Sequence, residues 1–444
     1  MGTDGTNVTL ETLLQRIAAL EAKFEVCAAN LSESTAISNA SLDAVWVYSS
    51  AILVFLMQLG FAMLESGSVR AENVIATYVK NILDVVFGTF AAALGGYQFA
   101  FPSNDVSIMD LTGTWDHHHV MQGFFSYLTF QSAAATIVSG AMAERTSILG
   151  YVIYSVFISG ILFSSAVRLT WGGGWLAEQD PSFHDFAGSG VVHMVGGVAA
   201  ITGCILVGSR TGRWDPVAVG EFAPHNIPCV FMGTLFLWVG WYGFNPGSTA
   251  ALSSRENVTT VANSFLTTTF AGASGGAVYV LSTLVESRSQ SFDALGMCNA
   301  ILGGLVAITA GCDVIDPPYA IVVGACAAIV YQGATKLCHV FHIDDVVGAF
   351  PVHGACGAWG VLVVGLLHRD AGLLFGNGGA QLRVQAVGIC VLFAISMVPS
   401  AVLLYAIKRM AGLRVSPEVE ASGLDSKLGL HAYVQRSVGM IKYK

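Results

Sequence analysis

The chain has 444 residues, of which 11% are charged and 54% are apolar. About a quarter of the residues of a soluble domain are charged, so this composition excludes a protein that has water as its main solvent. The formal net charge of −9 argues against nucleic acid as a partner, because phosphate binding requires a basic face.

Residues 1–43 precede the first apolar run and are predicted to form a polar, amphipathic segment outside the membrane. They lack the short apolar core and cleavage site of a signal peptide, so we expect them to remain in the mature chain. Two interpretations stay open, an amphipathic helix that lies on its own domain and a small bundle between subunits that Cys27 could link. The apolar residues recur by three and four, as in a coiled-coil seam: Leu10, Leu13, Ile17, Leu20, Phe24, Cys27 and Leu31.

The chain from residue 44 to residue 408 is an almost unbroken series of apolar runs. Crossing roughly 30 Å of hydrocarbon takes about 20 such residues in a helix. We therefore predict an all-α membrane protein whose transmembrane domain spans residues 44–408, with a cytoplasmic tail at 409–444. Eleven transmembrane helices are predicted, near residues 44–64, 74–101, 120–143, 147–167, 186–208, 227–245, 258–285, 294–310, 317–335, 343–368 and 384–407.

Two patterns agree on the orientation of these helices. Lys and Arg favour cytoplasmic loops, and six lie in the odd-numbered loops against four in the even-numbered loops, with seven more in the tail. The N-x-S/T sequons that begin at Asn7, Asn30, Asn39 and Asn257 all fall on the opposite side. We expect an extracellular N-terminus, a cytoplasmic C-terminus and, depending on the organism, glycans on these asparagines.

No cofactor, metal site or enzyme active site is predicted. The nine cysteines form no CxxC pair, and most lie in apolar runs, where a Cys behaves as a small hydrophobe. The run His117, His118 and His119 lies in a predicted extracellular loop. Consecutive residues point in different directions and no fourth ligand is evident, so we assign it no metal. A nucleophile paired with a base is also missing.

The fifth and tenth predicted helices resemble each other, because a Val-His pair begins a glycine-rich run in both. Five helices separate His193 from His353, so two five-helix repeats would be inverted in the membrane, with the eleventh helix as an addition. Ionisable side chains inside hydrocarbon are costly and tend to mark transport pathways. If the repeats pack about a pseudo-twofold axis, the two imidazoles can share one hydrogen bond and pass protons.

Several motifs, in order along nearly the whole chain from Asp43 to Asp425, closely resemble those of the ammonium transporter family. The earlier motifs are most similar to the plant-type and protist branch of that family, rather than to its Rhesus-type branch. The motifs are QLGFAMLESGSVRAEN at 58–73, SGAMAER at 139–145, WGGGW at 171–175, DFAGSGVVH at 185–193 with GSRTGR at 208–213, GWYGFNPGS at 240–248 and FPVHGACGAWG at 350–360.

This resemblance implies an outer site that recruits ammonium or methylammonium, formed by Trp171 and Ser248. An aromatic face attracts a cation with about 0.5–2 kcal/mol, and a hydroxyl can accept one of its N–H groups. Taken without the resemblance, Trp171 would read as a residue of the membrane interface. Asp185, just before the fifth helix, would lower the cost of a nearby cation; simple capping of that helix is compatible with this role.

The resemblance also implies a gate of two stacked rings, Phe130 and Phe244, above a twin-histidine pair, His193 and His353. Burying a bare cation costs tens of kcal/mol in a medium of low dielectric constant, so ammonium tends to give up its proton instead. We therefore expect ammonium to be deprotonated near the gate and to cross as ammonia past the histidines. The proton would travel separately through the histidines and water.

The family further implies a homotrimer in the plasma membrane, with one pathway in each subunit. Two alternatives remain, a Rhesus-like neutral ammonia channel and an ammonium sensor that signals through the tail. The tail begins with GLRVSPEVEASGLDSK at 412–427, which resembles the regulatory segment of the family, and then diverges. It lacks a clear counterpart of the Thr that some relatives phosphorylate, so a tail-binding regulator is left open, with Ser416 and Ser426 as the nearest phosphorylation candidates.

Overall fold

The structure is a computed structural model, and it describes residues 9–103, 107–110, 117–286, 288, 292–430 and 432. Across these residues the fold is all-helical, as predicted, with one isolated bridge between Thr146 and Arg414 in place of any sheet. Eleven helical segments stand where transmembrane helices are predicted. We number them α1 Leu10–Ser68, α2 Ala71–Ala100, α3 His118–Ala141, α4 Ile148–Leu169, α5 Ser189–Val207, α6 Ile227–Thr249, α7 Arg255–Glu286, α8 Ala294–Ile308, α9 Pro317–Val340, α10 Phe350–Leu367 and α11 Ala380–Met410.

Within the described residues, nine of these segments are long and apolar enough to cross a membrane. The two exceptions have simple reasons. The apolar helix α8 has only 15 residues, and α3 is long enough but carries several Ser, Thr and Gln side chains among its apolar ones. Their positions in the bundle agree with the predicted count of eleven.

Helix α1 is one continuous helix of 59 residues, which at 1.5 Å per residue is about 90 Å long. It begins at the Thr9 cap and runs without a break through the predicted boundary at residue 44. Its first part does not fold back onto the bundle, since the apolar seam is exposed; Leu10, Leu20 and Phe24 are 73%, 65% and 75% exposed. Cys27 is also exposed in this chain.

Small residues let the central helices approach each other closely. At the crossing of α5 and α10, a Cβ atom added to Gly197 would lie 2.1 Å from the backbone nitrogen of Gly354. Only a residue without a side chain fits there. Because Gly197 is one turn after His193 and Gly354 follows His353 directly, this crossing brings the two histidines together.

The two helices also begin in the same way, each in a π-helical turn, Ser189–Met194 in α5 and Phe350–Ala355 in α10. In both, an Asp eight residues before the histidine accepts hydrogen bonds from backbone N–H groups at the helix start. Asp185 binds Gly190 and Val191, and Asp345 binds Ala349 and Phe350, at 2.8–3.0 Å. A glycine in the left-handed region, Gly188 or Gly348, stands five residues before each histidine. The internal repeat is therefore D-x-x-G-x-x-x-x-H.

We call the end of the bundle that holds Asp345 the inner end, and the end that holds Asp185 the outer end. At the inner end, buried ion pairs join four loops. Arg210 bonds Asp344 at 2.8 Å and Glu144 at 2.9 Å, and Glu144 also pairs with Arg70. Burial raises the pKa of Asp344, but the guanidinium of Arg210 outweighs it and holds that pKa well below its usual range.

The tail packs on this inner end through two short helices, α12 Pro417–Ser422 and α13 Leu424–Lys427. The buried carboxylate of Asp425 accepts hydrogen bonds from the N–H groups of Ile75 and Ala76, at 3.0 and 2.8 Å, in the first turns of α2. Glu420 accepts one from the N–H of Thr211 at 2.7 Å. The first part of the tail is thus fixed to the start of α2 and to the loop between α5 and α6.

Candidate functional site

A cavity of about 290 Å³ lies at the outer end of the bundle. Trp171, Ser248 and Phe130 line it together with mainly small and aromatic residues, so the structure brings these three predicted site residues together. The indole ring of Trp171 contacts Phe130 edge-on, with ring centroids 6.0 Å apart. The hydroxyl of Ser248 donates to the carbonyl of Phe244 at 2.8 Å, which leaves its oxygen lone pairs available as acceptors.

Asp185 lies next to this site and supports it through hydrogen bonds. Its carboxylate accepts three backbone N–H bonds at the start of α5, from Gly188, Gly190 and Val191, and its own carbonyl accepts the indole N–H of Trp171 at 2.8 Å. Burial raises the pKa of Asp185, and the three N–H bonds partly offset this. The carboxylate does not line the outer cavity, so its geometry is that of a cap that also orients Trp171.

Below the cavity, aromatic rings form a column toward the middle of the bundle. Phe130 and Phe244 are in contact, with ring centroids 4.1 Å apart and an interplanar angle of 31°. The ring of Phe244 then stacks on His193 at 5.2 Å, and Trp241 stacks on the same imidazole at 5.3 Å. Trp241 and Phe244 lie three residues apart in α6 and therefore share a helix face.

The histidine pair forms the middle of the column. The Nδ1 atoms of His193 and His353 are 3.2 Å apart, within hydrogen-bond distance, and the rings are 5.2 Å apart and nearly parallel. Both residues are buried, with 0% and 5% of their surface exposed. The Nε2 atom of His193 is buried and has no hydrogen-bond partner among the described residues.

On the inner side of the pair lies a second, much smaller cavity of about 20 Å³. His353 and Glu65 both line it, together with Phe61 and residues of α8 and the loop before α10. One carboxylate oxygen of Glu65 accepts hydrogen bonds from Asn81 and Ser139, each at 2.9 Å. A cavity of this size has room for about one water molecule.

Sequence reasoning missed Trp241 and Glu65. The signal for Trp241 was its spacing from Phe244, and the signal for Glu65 was an ionisable residue inside an apolar span. The histidine run at residues 117–119 lies within the residues that the structure describes. Among those residues, no group of three or more His, Cys, Asp or Glu side chains could hold a metal. The sequon asparagines Asn30 and Asn39 are exposed and Asn257 is half-buried, while Asn7 lies outside the described residues.

These features define a multi-pass helical membrane protein with a buried column of rings between two cavities. The family model of the Ammonium Transporter Family matches residues 45–433. The tomato protein Ammonium transporter 1 member 3 is 38% identical over an alignment that covers 88% of this chain and 93% of that protein. The archaeal Ammonium transporter Amt2 of Archaeoglobus fulgidus is 36% identical, with 86% of each chain covered. The chain belongs to the Ammonium Transporter Family, in its plant-type ammonium transporter 1 branch.

Solved structures agree with this fold. A structure described as a sensor Amt protein has a TM-score of 0.78 at 32% identity and covers 88% of this chain and 98% of its own. The crystal structure of Candida albicans Mep2 has a TM-score of 0.74 at 26% identity, with 85% of this chain and 87% of that chain covered. Relatives of this kind are transporters or channels, so the prediction that the chain is not an enzyme is confirmed.

Proposed function

We propose that the protein takes up ammonium across the plasma membrane, recruiting it as the cation and conducting it as ammonia. The observation that carries the proposal is the column of rings from Trp171 through Phe130 and Phe244 to the histidine pair. A cation is attracted by the indole face of Trp171 and can donate an N–H to Ser248. Immediately below, the cation meets two Phe rings that are in contact. Moving a cation without its hydration shell into this place would cost tens of kcal/mol.

Deprotonation follows from this cost. Ammonium gives up its proton near the two Phe rings, which act as a gate, and neutral ammonia passes the gate and the histidines. The unpartnered Nε2 of His193 supports this role, because it can form a hydrogen bond with a passing ammonia or accept the proton that ammonium has released. The short Nδ1 to Nδ1 distance lets the proton continue to His353. Transport of ammonia and proton by two routes would move net charge.

The test is ammonium-induced current and methylammonium uptake in cells that lack their own ammonium transport. Wild type should show both. His193→Ala and His353→Ala should abolish or alter the current, since each removes one end of the shared hydrogen bond. Trp171→Ala should raise the half-saturating concentration by about 2- to 30-fold, the equivalent of about 0.5–2 kcal/mol. Unchanged current and selectivity in both histidine variants would exclude the proton role.

We further propose a homotrimer with an extracellular stalk made of three copies of the first part of α1. The exposed seam of Leu, Ile and Phe residues supports self-association, since a lone helix with this seam leaves apolar surface in water. In a parallel coiled coil, Arg16 and Glu21 fall at the g and e positions that pair between neighbouring helices. Cys27 lies in the seam, where two copies could form a disulfide. Glycans on Asn30 and Asn39 and an extracellular N-terminus fit the same topology.

An ammonium sensor is the second candidate function. Two observations support it: the similarity to the structure described as a sensor Amt protein, and a tail fixed to the bundle through Asp425 and Glu420. A sensor would bind ammonium and signal through the tail, with weak uptake. Removing residues 412–444 distinguishes the two functions, because a sensor loses signalling while a transporter that does not depend on its tail keeps its flux. A Rhesus-like neutral channel would instead show uptake without current.

A further inference from the structure

The inner cavity joins the histidine pair to a buried cluster of charges that the steps above do not use. Glu65 on α1 and Lys80 and Asp84 on α2 are all at most 2% exposed, yet they lie within apolar helices. Buried charges are retained in a membrane protein when they pair or when they serve a pathway. Glu65 is the member of the cluster that lines the same cavity as His353.

We propose that Glu65 accepts the proton that leaves the histidine pair on the inner side. The inference rests on the proposed function, because it concerns the route of a proton released by ammonium. Its first support is that both side chains line one cavity and that each keeps a polar atom without a partner in the described part of the chain. Nε2 of His353 and the second carboxylate oxygen of Glu65 form no hydrogen bond with other described residues, and both residues line the cavity.

The size of the cavity supplies the second support. At about 20 Å³ it holds about one water, which can accept a hydrogen bond from the imidazole and donate one to the carboxylate. The other oxygen of Glu65 is held by Asn81 and Ser139, so the side chain is fixed in this direction. Gly140 gives the space for it, since a Cβ atom there would lie 2.9 Å from the Glu65 Cγ.

The charges of the cluster supply the third support. Lys80 donates to the carbonyl of Ser139 at 3.3 Å, and the hydroxyl of the same Ser139 binds Glu65. Asp84 accepts hydrogen bonds from Tyr151 and Ser155, each at 2.6 Å. With two carboxylates and one ammonium group, the three side chains carry one net negative charge, so one further proton makes the cluster neutral. Because an uncompensated buried charge is costly in a dry interior, the cluster favours taking up that proton.

The proton moves from the outer to the inner side of the histidine pair in steps that leave both imidazoles neutral. A proton binds Nε2 of His193, and the Nδ1 proton of His193 passes to Nδ1 of His353. His353 then releases its Nε2 proton to the water, and that water gives a proton to the carboxylate of Glu65, which becomes a neutral acid. Both imidazoles end neutral with their tautomers exchanged, and ammonia carries none of the charge.

The decisive measurement is the ratio of charge to substrate moved, from ammonium-induced current and isotope uptake in the same cells. Glu65→Gln keeps the shape of the side chain and removes the proton acceptor. We expect this ratio to fall about tenfold or more, since a positioned acid–base group commonly contributes roughly 10²–10⁴-fold to proton transfer. Uptake itself should stay within about twofold of wild type, because ammonia does not need Glu65, and Glu65→Asp should recover part of the ratio.

Asp84→Asn is the matched control, because it makes the same chemical change at a neighbouring buried carboxylate that does not line the cavity. It should lower the ratio by clearly less than Glu65→Gln does, because it removes one charge of the cluster but leaves the carboxylate that lines the cavity. An unchanged ratio in Glu65→Gln, an equal fall in both variants, or a loss of uptake and current together in Glu65→Gln protein that reaches the membrane would each overturn the assignment. Failure of the proposed function differs from all of these, since wild type would then show no uptake.

Discussion

The crossing of α5 and α10 allows a prediction of definite size. In Gly197→Ala the new Cβ would lie 2.1 Å from the nitrogen of Gly354, whereas ordinary contact begins at 3.4 Å, so the helices must separate by about 1.3 Å. The Nδ1 atoms of His193 and His353, now 3.2 Å apart, would then separate by as much as the helices do, to at most about 4.5 Å, and any increase beyond about 3.5 Å breaks their hydrogen bond. Overpacking of this kind costs about 1–3 kcal/mol.

We therefore expect Gly197→Ala to lower the thermal stability of the purified protein in detergent and to reduce the ammonium-induced current strongly. Gly333→Ala in α9 is the control, because nothing lies within 4 Å of the added Cβ atom. Removing a glycine from an exposed helix position should leave stability unchanged or raise it by about 0.5–1 kcal/mol. Wild-type stability and current in Gly197→Ala would refute the argument that close packing sets the histidine distance.

Three further predictions concern the outer loop, the tail and the stalk. Burial lowers the pKa of His184, but the hydrogen bond to Asp313 outweighs burial and raises that pKa overall. The stabilisation from this pair is therefore complete below about pH 6.5 and is lost as pH rises through the higher pKa of the folded state. The difference between the melting temperatures at pH 6 and pH 8 should be smaller in His184→Gln than in wild type. Asp425→Asn should weaken tail docking by about 1–3 kcal/mol, seen as faster proteolysis of the tail, and equal cleavage rates would contradict it. Leu20→Asp should reduce crosslinking between subunits in membranes while Ala22→Asp, on the outer face of the stalk, should not.

The fold was predictable because a bilayer restricts the chain strongly. Every backbone polar group must be satisfied inside the hydrocarbon, so each apolar run of about 20 residues becomes a helix. The continuity of α1 across residue 44 was not predictable in the same way. Hydropathy changes there from polar to apolar, but the backbone hydrogen bonds of a helix do not depend on that change, so a compositional boundary need not be a structural one.

The candidate site was predictable where a pattern repeated. His193 and His353 were found because both follow Val at the start of a glycine-rich run, and the structure brings their Nδ1 atoms to 3.2 Å. Asp185 and Asp345 also repeat, since each stands eight residues before one of the histidines. That each of them caps the start of a helix is seen only in the folded chain. Glu65 could not be tied to His353 from sequence, since the two lie on helices far apart in the chain and meet only at a cavity.

The contact between Phe130 and Phe244 has a consequence for the ions that the protein would reject. Potassium carries the same single charge as ammonium, but it has no proton to leave behind. With ring centroids 4.1 Å apart, the stack has no room for a hydrated ion, and a dehydrated potassium ion would bear the whole desolvation cost of tens of kcal/mol. In the proposed mechanism the protein therefore distinguishes ammonium from potassium by acidity. A filter based on ionic radius would have to separate two ions of very similar size.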